Sequence, residues 1–227
     1  MDTIARNLEA VRARIAAALS RAGRPPDSVT LVGVTKTFPA DMVRELIRAG
    51  IADIGENRVQ ELIAKAGEVS EPCRWHLIGP LQRNKARKVV GLAHLIQAID
   101  GVAIAQAVDR IAGEQNLRAR ILLEVNTSGE DTKHGVGLYE APRVAEELVA
   151  LQHLDWIGLM TIGPFGAGEA ATRACFRRLA RLGDDLRSRT ALPLPELSMG
   201  MSDDFEMAIE EGATIVRLGR VITGERK

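Results

Sequence analysis

Apolar positions follow two alternating rhythms along this chain. Ile4, Leu8, Val11, Ile15 and Leu19 recur three and four residues apart, which predicts an amphipathic helix ending before Gly23 and the Pro25-Pro26 pair. Short apolar runs then predict eight strands, at 30–35, 52–55, 74–78, 95–99, 120–125, 156–159, 196–198 and 215–218. Helical patterns fill most of the gaps. Gly50, Gly67, Gly91 and Gly212 are their expected C-terminal stops, and Asp203-x-x-Glu206 reads as an N-terminal cap. Eight strands alternating with helices predict an α/β fold, a single (β/α)8 TIM barrel over residues 1–227. A doubly wound open sheet is the alternative, and the count of eight favours closure. Segment 163–168, rich in glycine, reads as a loop within one domain, and no internal repeat is found.

Composition narrows the function classes. The 227 residues are 46% hydrophobic, enough for one large core. Thirty basic residues balance thirty acidic ones, and no basic run offers a surface for nucleic acid or anionic membrane. The charged start is unlike a signal peptide, and no apolar stretch is long enough to span a bilayer. Cys73 and Cys175 form no C-x-x-C pair. His76, His94, His134 and His153 show no metal-ligand spacing, so no metal site is expected. A cytoplasmic protein is the resulting expectation.

In a barrel, chemistry gathers at the carboxyl ends of the strands. Lys36 closes the first strand, where its amine stands at the edge of a dry interior and can add to an aldehyde. Glu56-Asn57-Arg58 follows the second strand and Asn126-Thr127-Ser128 the fifth. Ser198-Met199-Gly200-Met201-Ser202 follows the seventh, with two hydroxyls flanking a glycine before a helix, an arrangement suited to an anion. Gly219, after the eighth strand, lets a ligand approach the backbone. An amine and an anion site on one rim suggest a phosphorylated aldehyde.

Arg217, inside the last strand, has two readings. One is a buried ion pair with Glu56 or Glu196. The other is donation to a cofactor ring nitrogen, which a permanently charged guanidinium would keep unprotonated. Asn57 is read as a holder of the ring hydroxyl or of the lysine, as a helix N-cap, or as both. His76 is a core histidine by position, with a catalytic or cofactor contact as the sharper option. Lys85 and Lys133 are loop lysines that could touch a ligand. Gly33-Val34-Thr35-Lys36-Thr37 lacks the first glycine of a P-loop, which excludes that motif.

Together these segments resemble the pyridoxal phosphate homeostasis protein family. The resemblance rests on Val32-Gly33-Val34-Thr35-Lys36, Gly55-Glu56-Asn57-Arg58-Val59-Gln60-Glu61 and Trp75-His76-Leu77-Ile78-Gly79-Pro80-Leu81-Gln82-Arg83-Asn84-Lys85. It continues through Val125-Asn126, Lys133-His134-Gly135-Val136, Gly158-Leu159-Met160, Leu197-Ser198-Met199-Gly200-Met201-Ser202-Asp203 and Val216-Arg217-Leu218-Gly219. It implies a barrel like the alanine racemase N-terminal domain, with pyridoxal 5′-phosphate as a Schiff base on Lys36. It further implies phosphate contacts at Ser198, the Gly200 region and Gly219, and Arg217 facing the pyridine nitrogen. The family is associated with vitamin B6 balance and carriage of the cofactor, which makes apo pyridoxal phosphate enzymes the expected partners. Three positions depart from its usual pattern: Phe38 replaces a common second lysine, Lys133-His134-Gly135 replaces Lys-Ser-Gly, and Ile222-Thr223-Gly224 replaces Ile-Phe-Gly.

A carrier and an amino acid racemase remain the contrasting readings. Racemisation needs a base on each face of the reacting carbon. Lys36 could serve one face. Alanine racemase takes the other base, a tyrosine, from a second domain and subunit, whereas this chain has one tyrosine, Tyr139. A lysine-dependent aldolase would need an acid–base partner near Lys36 that the sequence does not supply. A non-catalytic, monomeric carrier is therefore expected.

Overall fold

The structure is a computed structural model and describes residues 3–130 and 134–224. Eight parallel strands close into a barrel. They are β1 (Thr30–Val34), β2 (Asp53–Glu56), β3 (Arg74–Leu77), β4 (Leu95–Ile99), β5 (Ala119–Asn126), β7 (Leu154–Met160), β8 (Glu196–Ser198) and β9 (Ile215–Leu218). Each pairs with its neighbours in chain order, β9 returns to β1, and the β4–β5 pairing closes the ring. Their apolar runs reflect burial on both faces, inside the barrel and under the helices. A two-residue strand, β6 (Val136–Gly137), pairs with the end of β5 alone and was not anticipated from the sequence.

The crossovers are α2 (Ala40–Arg48), α3 (Val59–Glu68), α4 (Val102–Glu114), α5 (Ala141–Val149), α6 (Glu169–Thr190) and α7 (Phe205–Glu210). Between β3 and β4 the chain forms only a 3-10 helix, Arg83–Lys88, because that stretch carries no apolar stripe and buries only Ala86. α1 (Thr3–Arg21) packs on α7 and on α8 (Arg220–Thr223), with Arg14 stacked on the Phe205 ring and paired to Glu206. No described helix is long and apolar enough to cross a membrane.

Most helix stops follow the expected glycines. Gly50, Gly91 and Gly212 take positive φ of 86°, 86° and 104°. Gly67 instead lies within α3, at a spot where no atom comes within 4 Å of a would-be Cβ. The expected cap at Asp203 shifts by one residue. Asp204 takes the N-cap position of α7 and accepts Met201 N–H at 2.6 Å, while Asp203 pairs with Arg220.

A large core fills the space between strands and helices. A small one, of Val32, Leu95, Ala98, Leu122, Met160 and Ile215, fills the barrel centre. The two-residue period of a strand then places Val34, Ile78, Glu124 and Arg217 on inward faces above that plug. Continued past the strand ends, the same period carries Lys36, Asn57, Gly200 and Gly219 to the mouth.

Candidate functional site

A cavity of about 530 Å³ opens at the carboxyl ends of β1, β8 and β9. Lys36, Arg217 and Gly219 all line it, together with Val34, Phe38, Ile78, Phe165, Ser202 and the opening turn of α8. The lysine, arginine and glycine singled out from the sequence thus share one cavity.

Arg217 forms the floor. It is only 4% exposed. Its guanidinium donates to Ser198 Oγ at 2.6 Å and to the Thr161 carbonyl at 2.9 Å. Burial lowers its pKa to about 10, with Glu124 and Asp204 pulling the other way, so it stays charged at neutral pH. Neither carboxylate proposed from the sequence is its partner. Glu56 bonds Lys65 and Thr35, and Glu196 bonds Thr214.

Ser198 lies inside the barrel, behind the cavity lining. Its side chain is fully buried and its hydroxyl donates to Gln97 Oε1 at 2.6 Å while accepting from Arg217. The cavity is lined instead by two other hydroxyl residues, Thr223 and Ser202, the latter four residues on and accepting Val221 N–H at 3.4 Å. Gly200 shapes the loop between Ser198 and Ser202. Its φ is +95°, and a Cβ there would lie 2.6 Å from Ala208 Cβ.

His76 is a core residue. Its Nδ1 meets Gln97 Nε2 at 2.9 Å and its Nε2 meets Asp53 Oδ1 at 3.0 Å. An amide NH2 can only donate, so Nδ1 accepts and Nε2 carries the proton given to Asp53. Burial pushes the Asp53 carboxyl up, but the bonds from His76 and Arg74 outweigh it and bring it down to about 2. Asn57 packs against Gly79, where a Cβ would lie 2.3 Å from the Asn57 carbonyl oxygen. It is not the cap of α3, since Arg58 takes that position. Lys133 lies outside the described residues.

Sequence reasoning missed Gln97, Lys65 and Glu124. Gln97 is the lone polar residue in the apolar run of β4. Lys65 sits on the buried stripe of α3 with Val59 and Leu62, where the helical period calls for an apolar side chain. Glu124 is an acid within a buried strand, and burial together with Asp100 raises its pKa to about 7 against the pull of Arg217 and His134. Each was legible as a polar residue breaking an apolar pattern.

A lysine at the barrel mouth and a charged arginine below it, with Ser202 and Gly219 beside them, give the cavity the charge to hold a compact anionic ligand. The model of the alanine racemase N-terminal domain matches residues 6–227. An alanine racemase of Clostridium difficile, 16% identical, superposes with a TM-score of 0.82 over 100% of this chain and 57% of that one. That likeness concerns fold alone.

Closer relatives give the family. Proteins named pyridoxal phosphate homeostasis protein are 44% identical in Pseudomonas aeruginosa, over 100% of this chain and 97% of the relative, and 41% identical in Aquifex aeolicus, over 97% of both. PipY of Synechococcus elongatus, whose structure was solved with PLP bound, is 39% identical with a TM-score of 0.83, covering 92% of this chain and 100% of that one. The chain belongs to the pyridoxal phosphate homeostasis protein family.

Proposed function

We propose that this barrel, as a single domain over 1–227, binds pyridoxal 5′-phosphate as a Schiff base on Lys36 and carries it in the cytoplasm to apo enzymes that need it. The observation that carries the reading is that Lys36, Arg217 and Gly219 line one cavity in a chain whose relatives bear that name, one of them solved with the cofactor. The residues fit the group. The cavity is of a size for a substituted pyridine, and its donors suit an aldehyde, a ring nitrogen and a phosphate.

When bound, the cofactor supplies an aldehyde that condenses with a primary amine, and water leaves. Lys36 supplies that amine. Arg217 keeps its proton and donates toward the ring nitrogen, which weakens the ring as an electron sink. Ser202, the Gly200 loop and Gly219 are assigned to the phosphate, with Gly219 letting the backbone approach closely. Ser198 acts one step away, on Arg217, and His76 further back, through Gln97 and Ser198. Asn57 is assigned to the rim beside Lys36.

A non-catalytic role is supported by the cavity lining, whose one carboxylate among the described residues, Asp203, is paired with Arg220. Tyr139 stands fully exposed in the turn before α5 and does not line the cavity. A monomer is the proposed state.

The test is spectroscopic. Purified protein is expected to be yellow, to lose the colour with borohydride and to keep the cofactor fixed at Lys36, with Lys36→Ala abolishing fixation. A protein that takes up no added cofactor overturns the proposal. Steady α-proton exchange on L-amino acids would favour the racemase instead.

A further inference from the structure

Lys36 sits in a tight turn closed by one backbone bond, from Phe38 N–H to the Thr35 carbonyl at 3.0 Å. Thr37, the next residue, has φ of +69°, a conformation that a β-branched side chain rarely adopts. Such strain persists only where surrounding groups over-determine it.

Around that turn bond, two charged side chains of one helix add further contacts. Glu61 of α3 accepts the Thr37 N–H at 2.7 Å. One turn later, Lys65 donates to the Thr35 carbonyl at 2.8 Å. The same ammonium bonds Glu56 Oε1 at 2.6 Å, and that oxygen also takes the Thr35 hydroxyl at 2.6 Å. Lys65 and Glu56 are both buried, 6% and 0% exposed. The backbone is therefore fixed immediately before and immediately after Lys36, by charged groups spaced one helical turn apart.

We propose that Glu61 and Lys65 are positioning residues for Lys36: from successive turns of α3 they clamp the peptide on either side of it and hold its amine to the cavity. This rests on the reading of Lys36 as the residue that takes the cofactor. It explains why a lysine occupies the buried stripe of α3. A buried ion pair contributes little net stability against an apolar replacement, whereas it fixes geometry well.

The test compares two ligands on the full chain. Pyridoxal 5′-phosphate needs the Lys36 amine, whereas pyridoxine 5′-phosphate lacks the aldehyde and does not. Glu61→Gln keeps the shape of the side chain and an acceptor oxygen but weakens the bond from Thr37 N–H by removing its charge. It is expected to weaken pyridoxal 5′-phosphate binding about tenfold. Binding of pyridoxine 5′-phosphate and the melting temperature of the apo protein should stay at wild-type values. Lys65→Met is expected to show the same split more strongly. If it fails to fold, Glu61→Gln decides alone, because that carboxylate is partly exposed, at 23%. Equal losses for both ligands, or no loss for either, overturn the inference while leaving the carrier reading standing. A wild-type protein with no borohydride-fixed adduct at Lys36 overturns the carrier reading, and this inference with it.

Discussion

Ser198 donates its hydroxyl to Gln97 across the inside of the barrel at 2.6 Å, joining strands 101 residues apart in the chain. That bond is the middle of a directional chain. Arg217 donates to Ser198, Ser198 to Gln97, Gln97 to His76, and His76 to Asp53, where Arg74 closes the far end with two bonds of 2.7 and 2.5 Å. Each donor and acceptor has one consistent role, so the guanidinium under the cavity is held in a single orientation.

Gln97→Leu breaks that chain in the middle. It strips the Ser198 hydroxyl of its acceptor and His76 Nδ1 of its donor, both in the buried interior. A loss of roughly 2–4 kcal/mol is expected, since a buried polar group left unpaired costs about 1–3 kcal/mol. Urea denaturation at neutral pH measures it.

Glu124 predicts a pH dependence. Its folded pKa of about 7 lies above the ordinary carboxyl value of 4.5. The unfolded chain therefore releases this proton first as pH rises. The stability tied to the protonated form is fully present below about 4.5, is lost between about 4.5 and 7, and stays lost above. Glu124→Gln does not titrate. The wild-type stability minus that of the variant should fall across this window by up to about 3 kcal/mol. Denaturation curves at pH 5 and pH 8 check it, and a constant difference would sink the assignment.

Gly200→Ala should disrupt the loop between β8 and α7. The added methyl would meet Ala208 Cβ at 2.6 Å and the Phe205 Cα at 3.0 Å, at a φ of +95°. A destabilisation of roughly 2–4 kcal/mol is expected from overpacking and backbone strain together. Thermal melting of the apo protein reads it, and cofactor affinity should drop as well.

Phe38 occupies the position of the common second lysine and lines the cavity wall. Phe38→Lys should therefore place a second amine within reach of the same aldehyde. After borohydride, peptide mapping should divide the label between positions 36 and 38. Label confined to position 36 would show that side chain 38 turns away from the bound group.

Much of the site was open to sequence reasoning because a barrel strand has a simple code. Apolar runs bounded by turns located all eight strands, and strand ends located Lys36 and Gly219. Ser198 shows what the strand code leaves open. An inward-facing hydroxyl near a strand end can reach the cavity or be taken up by interior partners, and residues on other strands decide which. The strand period turned it inward toward Gln97, and Ser202 took the rim. The 3-10 crossover at Arg83–Lys88 follows from the missing apolar stripe, and the one-residue shift of the α7 cap from the local bond of Met201 N–H to Asp204.

The chain alone determined the closed parallel barrel, its strand positions and the lysine at its mouth, because each follows from periodicities and punctuation among near neighbours. Tertiary structure alone decided which polar residues meet: Gln97 with Ser198 and His76, Lys65 with Glu56 and the Thr35 carbonyl, Glu61 with Thr37. Those partners come from different elements of the fold. A buried polar side chain declares in the sequence that it needs a partner, and only the packed interior selects which one it finds.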